Sequence, residues 1–214
     1  MAQLYIALIH YPVVNKNGQT IASALTNLDL HDISRATKTF GLKAFFVVTP
    51  LEDQIDLIQK IISHWTQGIG AQYNPKRRSA LEMIHVSASY ADVIDRVAIS
   101  EGMQPKTIAT CARAAPANTS YEKCRAMLKN DEPYVLALGT AWGLSDTEAN
   151  SWSGSKDWIS TERLRSVRLR AAHLSTSFSC GYVRLSDWAS MEKATSRADS
   201  KRSSEVGTNA VPFF

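Results

Sequence analysis

Thr26-Asn27-Leu28-Asp29-Leu30-His31-Asp32-Ile33-Ser34-Arg35-Ala36-Thr37-Lys38-Thr39-Phe40-Gly41 lies between two short apolar runs, Leu4-Tyr5-Ile6-Ala7-Leu8-Ile9 and Ala44-Phe45-Phe46-Val47-Val48. The stretch predicts a helix closed by Gly41 as its C-terminal cap, and the runs on either side predict strands. Strand, helix, strand is the opening unit of a parallel sheet, because a parallel pair needs a crossover connection. The helix is unusual in its polar residues. Lys and Glu are the common choice for a wet helix face, whereas Asn27, Asp29, His31, Asp32 and Arg35 are on the whole poorer helix formers with more directional hydrogen-bonding groups. Asn27, His31 and Arg35 recur at i, i+4, i+8 and share one face, which suits an anionic or hydrogen-bonding ligand. A capped helix with solvated charges, Asn27 or Asp29 as its cap, is the plainer reading of the same residues.

The alternation continues outward. Leu51 to Gln67 carries an apolar stripe of Leu51, Ile55, Ile58, Ile61, Ile62 and Trp65 at helical spacing. Gly68 to Pro75 reads as a loop and Lys76 to Leu81 as a short helix. Met83 to Val86, Lys106 to Cys111 and Tyr134 to Leu138 read as strands, with helices over Tyr90 to Ser100 and Ser120 to Leu128. Such alternation predicts an α/β fold, a mostly parallel sheet with helices on both faces. Ligands in that class sit beyond the carboxyl ends of the strands. Thr49-Pro50, Thr110-Cys111-Ala112-Arg113 and Gly139-Thr140 fall at such ends.

Composition sets bounds. The chain has 214 residues and 44% hydrophobic content, ordinary for a globular protein. No apolar run reaches the roughly 18 residues needed to span a bilayer, and Met1 to His10 reads as a first strand rather than a signal peptide. Three scattered cysteines, Cys111, Cys124 and Cys180, form no metal-binding or disulfide spacing, so a reducing cytoplasm and no metal are expected. Residues 1–150 hold 14 Lys+Arg against 14 Asp+Glu, and residues 151–214 hold 10 against 6, so the net +4 lies wholly in the tail. Fourteen of the last 64 residues are serine, which divides the chain into a body over 1–150 and a Ser/Arg-rich, partly disordered segment over 151–214. A short helix over Thr161 to Leu174 is expected within that segment.

The glycine loop Leu138-Gly139-Thr140-Ala141-Trp142-Gly143-Leu144 follows the last strand of the body. Its glycines let backbone approach a flat ligand. It is neither a phosphate-binding Walker loop nor a dinucleotide fingerprint. A tight turn with Trp142 plugged into the core is the plainer alternative. Asn74-Pro75-Lys76-Arg77-Arg78 is a basic cluster at a helix start, fit to touch phosphate or simply to be solvated.

Taken together, these stretches resemble a bacterial branch of the SPOUT superfamily of S-adenosylmethionine-dependent RNA methyltransferases, α/β proteins with a trefoil knot. The resemblance runs from about Leu4 to Asp146. It is carried by Ala7-Leu8-Ile9-His10-Tyr11-Pro12-Val13, by Thr26 through Gly41, by Val48-Thr49-Pro50-Leu51, by His64-Trp65 with Gly68, by Tyr73-Asn74-Pro75 with Arg77, and by Leu138-Gly139-Thr140 with Trp142-Gly143-Leu144. It implies S-adenosylmethionine as cofactor, held by Thr110, Ala112, Leu138, Gly139, Thr140, Trp142, Gly143 and Leu144. It implies a tRNA or rRNA substrate and a homodimer. An Arg six residues before a helix-ending Gly, the spacing of Arg35 and Gly41, would orient the acceptor in that superfamily. Asn27, His31 and Asp32 would position the acceptor or take its proton. After Leu144 the family's Leu-Glu-Pro-Ile segment and knot-closing helix are not found, the Ser/Arg-rich composition from Ser151 onward is unlike the family's apolar end, and a frame change in the coding sequence near residue 150 is one hypothesis for it. The alternative function is therefore a catalytically inactive RNA-binding or scaffold relative with a disrupted cofactor pocket.

Overall fold

The computed structural model describes residues 3–111, 119–145 and 156–160, the last five and Cys111 by backbone alone. All of them fall within the first of two compact units, Met1–Tyr182. Fourteen elements follow in order among them: β1 (Gln3–Ile9), β2 (Val13–Val14), β3 (Thr20–Ile21), α1 (Asn27–Thr39), β4 (Phe45–Val48), α2 (Glu52–Thr66), α3 (Ile69–Tyr73), α4 (Pro75–Leu81), β5 (Ile84–Ser87), α5 (Tyr90–Glu101), β6 (Lys106–Cys111), α6 (Tyr121–Met127), β7 (Pro133–Gly139) and β8 (Lys156–Ser160).

Six of the strands make one sheet in the order β5-β4-β1-β7-β6-β8, and every neighbouring pair in it is parallel. Side chains alternate across the pleat. Tyr5, Ala7 and Ile9 of β1 join Phe46, Val48, Val135 and Ala137 in a core with Val93, Ile94 and Val97 of α5. The intervening Ile6, Leu8, Phe45 and Val47 are equally buried on the opposite face. There α1, α2 and α4 pack together, α1 also reaching β4 and α2 reaching β5. Both faces are thus covered by helices, as the strand-helix alternation predicts, and near-continuous apolar strands follow from that burial.

Helix α1 starts on Thr26. Its hydroxyl accepts from the Asp29 N–H at 3.3 Å, and the Asp29 carboxylate accepts from the Thr26 N–H at 3.2 Å, a reciprocal capping box. This corrects the expectation of Asn27 or Asp29 as cap. Asp29 is drawn under the helix start and buried, while Asn27 becomes the first helical residue and stays exposed. At the other end Gly41 adopts φ +65°, the left-handed conformation expected of it.

Four elements were not legible. The hairpin β2–β3 has two-residue strands, too short for alternation to register. Helix α3 replaces part of the expected Gly68–Pro75 loop. A Cβ on Gly68 would stand 2.7 Å from the His64 carbonyl oxygen, and one on Gly70 2.7 Å from the Trp65 ring. Those glycines therefore mark a tight helix corner rather than an open loop. Strand β8 pairs in parallel with β6 from Thr107↔Lys156 to Cys111↔Ser160, beyond the expected boundary at residue 150. The expected helix over Thr161 to Leu174, the rest of the 151–214 segment, Ala112 and Arg113 lie outside the described residues.

Candidate functional site

The chain runs outward from β1 to β4 and β5 on one side, and returns to β7 on the other. The gap beyond the carboxyl ends of β1 and β7 is the switch point where open parallel sheets take their ligands. Register places Ile9 opposite Gly139, so His10 and Thr140 leave the sheet side by side. Both are buried, at 1% and 8% exposure. The Thr140 hydroxyl donates to the Ile9 carbonyl at 2.8 Å and shares a hydrogen bond with the Ser23 hydroxyl. The Ser23 hydroxyl also meets His10 Nδ1 at 3.0 Å, and the Ser23 N–H donates to the His10 carbonyl at 2.8 Å. His10 Nε2 is buried without a hydrogen-bond partner among the described residues. Burial holds the imidazole below its ordinary pKa, against a smaller opposing pull from Asp29. It is a neutral ring at pH 7.

Thr140–Ser23–His10 ties the glycine loop to the segment leading into α1. Thr26 is three residues past Ser23, and three residues span at most about 11 Å, so the start of α1 lies close to the loop. Neither His10 nor Ser23 belongs to the expected site. A histidine ending an apolar run at a strand terminus was the available signal for the first; Ser23 carried none.

The loop itself is braced. The Thr140 N–H donates to the Ile9 carbonyl (3.2 Å), the Trp142 N–H to the Val14 carbonyl (3.0 Å), and the Gly143 N–H to the Thr140 carbonyl (2.9 Å). The Val14 N–H returns a bond to the Gly143 carbonyl at 3.0 Å, so the hairpin β2–β3 acts as the loop's splint. Three of the loop's N–H donors are therefore turned into the fold. Gly139 is needed for packing, since a Cβ there would lie 2.8 Å from the Leu144 nitrogen and 2.9 Å from its Cγ. Gly143 is different: it has φ +111°, and its missing side chain faces open space with nothing within 4 Å. Leu138, Gly139, Thr140 and Leu144 are buried, whereas Trp142 is 55% exposed, which corrects the alternative of an indole plugged into the core. An exposed indole beside an open glycine fits a flat nucleoside. Thr110, the penultimate residue of β6, donates its hydroxyl to the Ala137 carbonyl at 3.3 Å, one strand away from the loop.

On α1, Asn27, Asp32 and Arg35 are exposed and His31 is half-buried. Arg35 touches Asp32 only at 3.9 Å, and both side chains are mostly in solvent, at 63% and 67% exposure. His31 packs edge-on against Trp65 of α2, ring centres 5.5 Å apart, and Arg77 of α4 lies over the same indole with its Cζ 4.5 Å from the ring centre. Burial lowers the His31 pKa, with the Arg77 charge pushing the same way. At 1.5 Å rise per residue, Arg35 stands about 12 Å along the helix from Asn27. The structure thus gathers His31, Asp32 and Arg35 at the α1–α4 face and leaves Asn27 near the loop. Among the described residues no cluster of three or more His, Cys, Asp and Glu could hold a metal ion, and no helix is long and apolar enough to cross a membrane.

A parallel α/β sheet with a braced glycine loop at its switch point defines a class, the nucleoside-binding α/β proteins. Comparison narrows it. Residues 3–163 match the family described as SAM-dependent RNA methyltransferase, and the chain belongs to that family. Its cofactor is S-adenosylmethionine, in agreement with the reading of the motifs. Two relatives named tRNA (guanine-N(1)-)-methyltransferase, from Oleidesulfovibrio alaskensis and Nitratidesulfovibrio vulgaris, are 44% and 43% identical over 142 residues, 66% of this chain. The match spans only 33% of each of those proteins, about a third of their length. An uncharacterized protein of Aquifex aeolicus is 28% identical over 163 residues, covering 72% of this chain and 80% of its own. Among solved structures, the SpoU methyltransferase AviRb from Streptomyces viridochromogenes aligns with a TM-score of 0.39 at 15% identity, over 84% of this chain and 55% of that one.

Proposed function

We propose that this chain transfers a methyl group to tRNA or rRNA in the cytoplasm, as a SPOUT-type homodimer whose body is residues 1–150 with strand β8 added to its sheet. The observation that carries the reading is the buried Thr140–Ser23–His10 connection at the switch point. It fixes the glycine loop and the start of the Asn27–Arg35 helix to each other, in a chain whose residues 3–163 match the family. When bound, S-adenosylmethionine supplies an electrophilic methyl group on a sulfonium. Thr110, Ala112 and the loop Leu138, Gly139, Thr140, Trp142, Gly143 and Leu144 hold its nucleoside, with Trp142 and the open side of Gly143 as the contact surface. Arg35, loosely held by Asp32, is free to swing onto an RNA oxygen and stabilise negative charge as the acceptor attacks. A guanidinium offers donors and no acceptor, so the proton goes elsewhere. His31, kept neutral by burial and by Arg77, is able to take it. Asn27 and Asp32 position the acceptor. Arg35 lies two turns from the loop on its own chain, which favours completion of the site by a second copy.

The test uses the full chain with RNA from a strain lacking the gene, and nucleoside mass spectrometry. A new methylated nucleoside is expected, with Arg35→Ala lowering kcat at least about 100-fold and leaving S-adenosylhomocysteine affinity in calorimetry unchanged. Homocysteine-ligand binding without any RNA product would move the chain to the inactive-relative reading, and no binding at all would remove the cofactor assignment.

A further inference from the structure

The cluster His31–Trp65–Arg77 is more elaborate than helix packing requires. Trp65 sits in the corner that Gly68 and Gly70 make possible, and a Cβ on Gly70 would collide with its ring. The Arg77 guanidinium lies over that ring, its Cζ 4.5 Å from the ring centre. His31 and His64 meet it edge-on from two further directions, ring centres at 5.5 and 5.1 Å. One indole, itself packed by two imidazoles from α1 and α2, therefore seats the Arg77 guanidinium of α4. A stacked guanidinium keeps its N–H edge available and loses little freedom when it binds a planar or tetrahedral anion.

The charge around it is unbalanced. Lys76, Arg77 and Arg78 are consecutive, and Arg35 bears on the same imidazole as Arg77 does. Arg78 pairs with Glu82 at 2.8 Å and Arg35 meets Asp32 loosely at 3.9 Å. Arg77 and Lys76 have no carboxylate partner among the described residues. Arg35 and Arg77, which both act on His31, repel each other unless an anion stands between them. Three residues before Lys76 in the chain, Tyr73 is 88% exposed, an aromatic ring with no place in the core. Cations interleaved with an exposed aromatic are what a nucleic-acid backbone and its bases engage.

We propose that Arg77, pre-set on Trp65, is a phosphate clamp for the RNA backbone, and that with Arg35, Lys76 and Tyr73 it makes the α1–α4 face the RNA-positioning surface of the enzyme. The inference rests on the RNA methyltransferase reading and adds residues to it. Arg77 binds a phosphodiester through its N–H edge and holds the strand while Arg35, nearer the acceptor, serves the reaction. It is a positioning residue.

The experiment is a filter or anisotropy titration of the full chain with bulk tRNA at several salt concentrations, on wild type, Arg77→Ala and Arg77→Lys. Wild type is expected to bind with a salt-dependent affinity. Arg77→Ala should weaken binding about 3- to 10-fold and reduce the salt slope by about one. Arg77→Lys should restore the slope but only part of the affinity, because an ammonium keeps the charge and loses the plane. S-adenosylhomocysteine affinity and the elution volume on size exclusion should be those of wild type in both variants. Unchanged tRNA affinity and slope in a folded Arg77→Ala would overturn the clamp while leaving the methyltransferase reading intact. A shift from dimer to monomer would overturn it in favour of a subunit interface. Failure of the wild type to bind either bulk tRNA or rRNA in the same titration would remove both readings.

Discussion

Gly139→Ala is the sharpest perturbation of the cofactor loop. The added methyl would stand 2.8 Å from the Leu144 nitrogen, 2.9 Å from Leu144 Cγ and 3.1 Å from the Gly143 carbonyl carbon. Ordinary contacts begin near 3.4 Å, so the loop must move by roughly half an ångström. Two of the three opposing atoms are backbone, and that backbone is bonded to Val14 and Thr140, so no side-chain rotation relieves the overlap. Overpacking of this kind costs about 1–3 kcal/mol. At the middle of that range a domain of this size loses about 4–8 °C in Tm. Displacing the braced turn also spoils the cradle, and a loss of about tenfold in S-adenosylhomocysteine affinity, about 1.4 kcal/mol, is expected. Calorimetric unfolding and ligand titration of the full chain measure both. Gly18→Ala is the control: Gly18 has φ +77° and nothing within 4 Å, so it should cost only the left-handed penalty of about 1–2 kcal/mol and leave ligand affinity alone. A Gly139→Ala protein with wild-type Tm and wild-type affinity would refute the argument that Leu144 closes down on this strand end.

Two further outcomes follow from the fold. His10, His31 and His85 all have folded pKa values held below the ordinary 6.5 by burial. The unfolded chain therefore binds more protons just below that value, so stability is full above about pH 6.5 and falls as the pH drops further. His10→Gln should flatten the Tm-against-pH profile between pH 7 and 5, and an unaltered slope would sink the assignment. Thr26→Ala removes the capping hydroxyl of α1 and should cost about 1 kcal/mol, about 2–4 °C in Tm, with no change in S-adenosylhomocysteine affinity. A wild-type Tm would mean that the cap does not hold the helix start.

The sheet was legible because β1, β4 and β7 are buried on both faces and read as unbroken apolar runs, each followed by a Pro or Gly stop. The polar helix was legible for the opposite reason, since its composition is a poor choice for an ordinary wet surface. The helix start was misplaced by one to three residues because Thr, Asn and Asp all cap well. Only the geometry shows that Thr26 and Asp29 satisfy each other. Within the site, the glycine loop announced itself by residue type, but the direction of its N–H groups did not, because that depends on the hairpin β2–β3, whose strands leave no periodic trace. Ser23 has the weakest signal and one of the more central places: it becomes meaningful only when Thr140, 117 residues away, is folded against it. The Arg77–Trp65 stack depends on two glycines whose role is to let helices meet, which composition alone reads as looseness.

Strand β8 alters what the sheet offers to its surroundings. Without it β6 would be the margin, presenting an open ladder that includes Ile108 and Ala109. Such rims recruit stray strands from other molecules. With β8 in place the outermost strand among the described residues is Lys156–Ser160, which begins with one charge of each sign, and charged rims discourage that pairing. A five-residue segment outside the main alternation thus takes up the backbone groups of β6 that a stray strand would otherwise use.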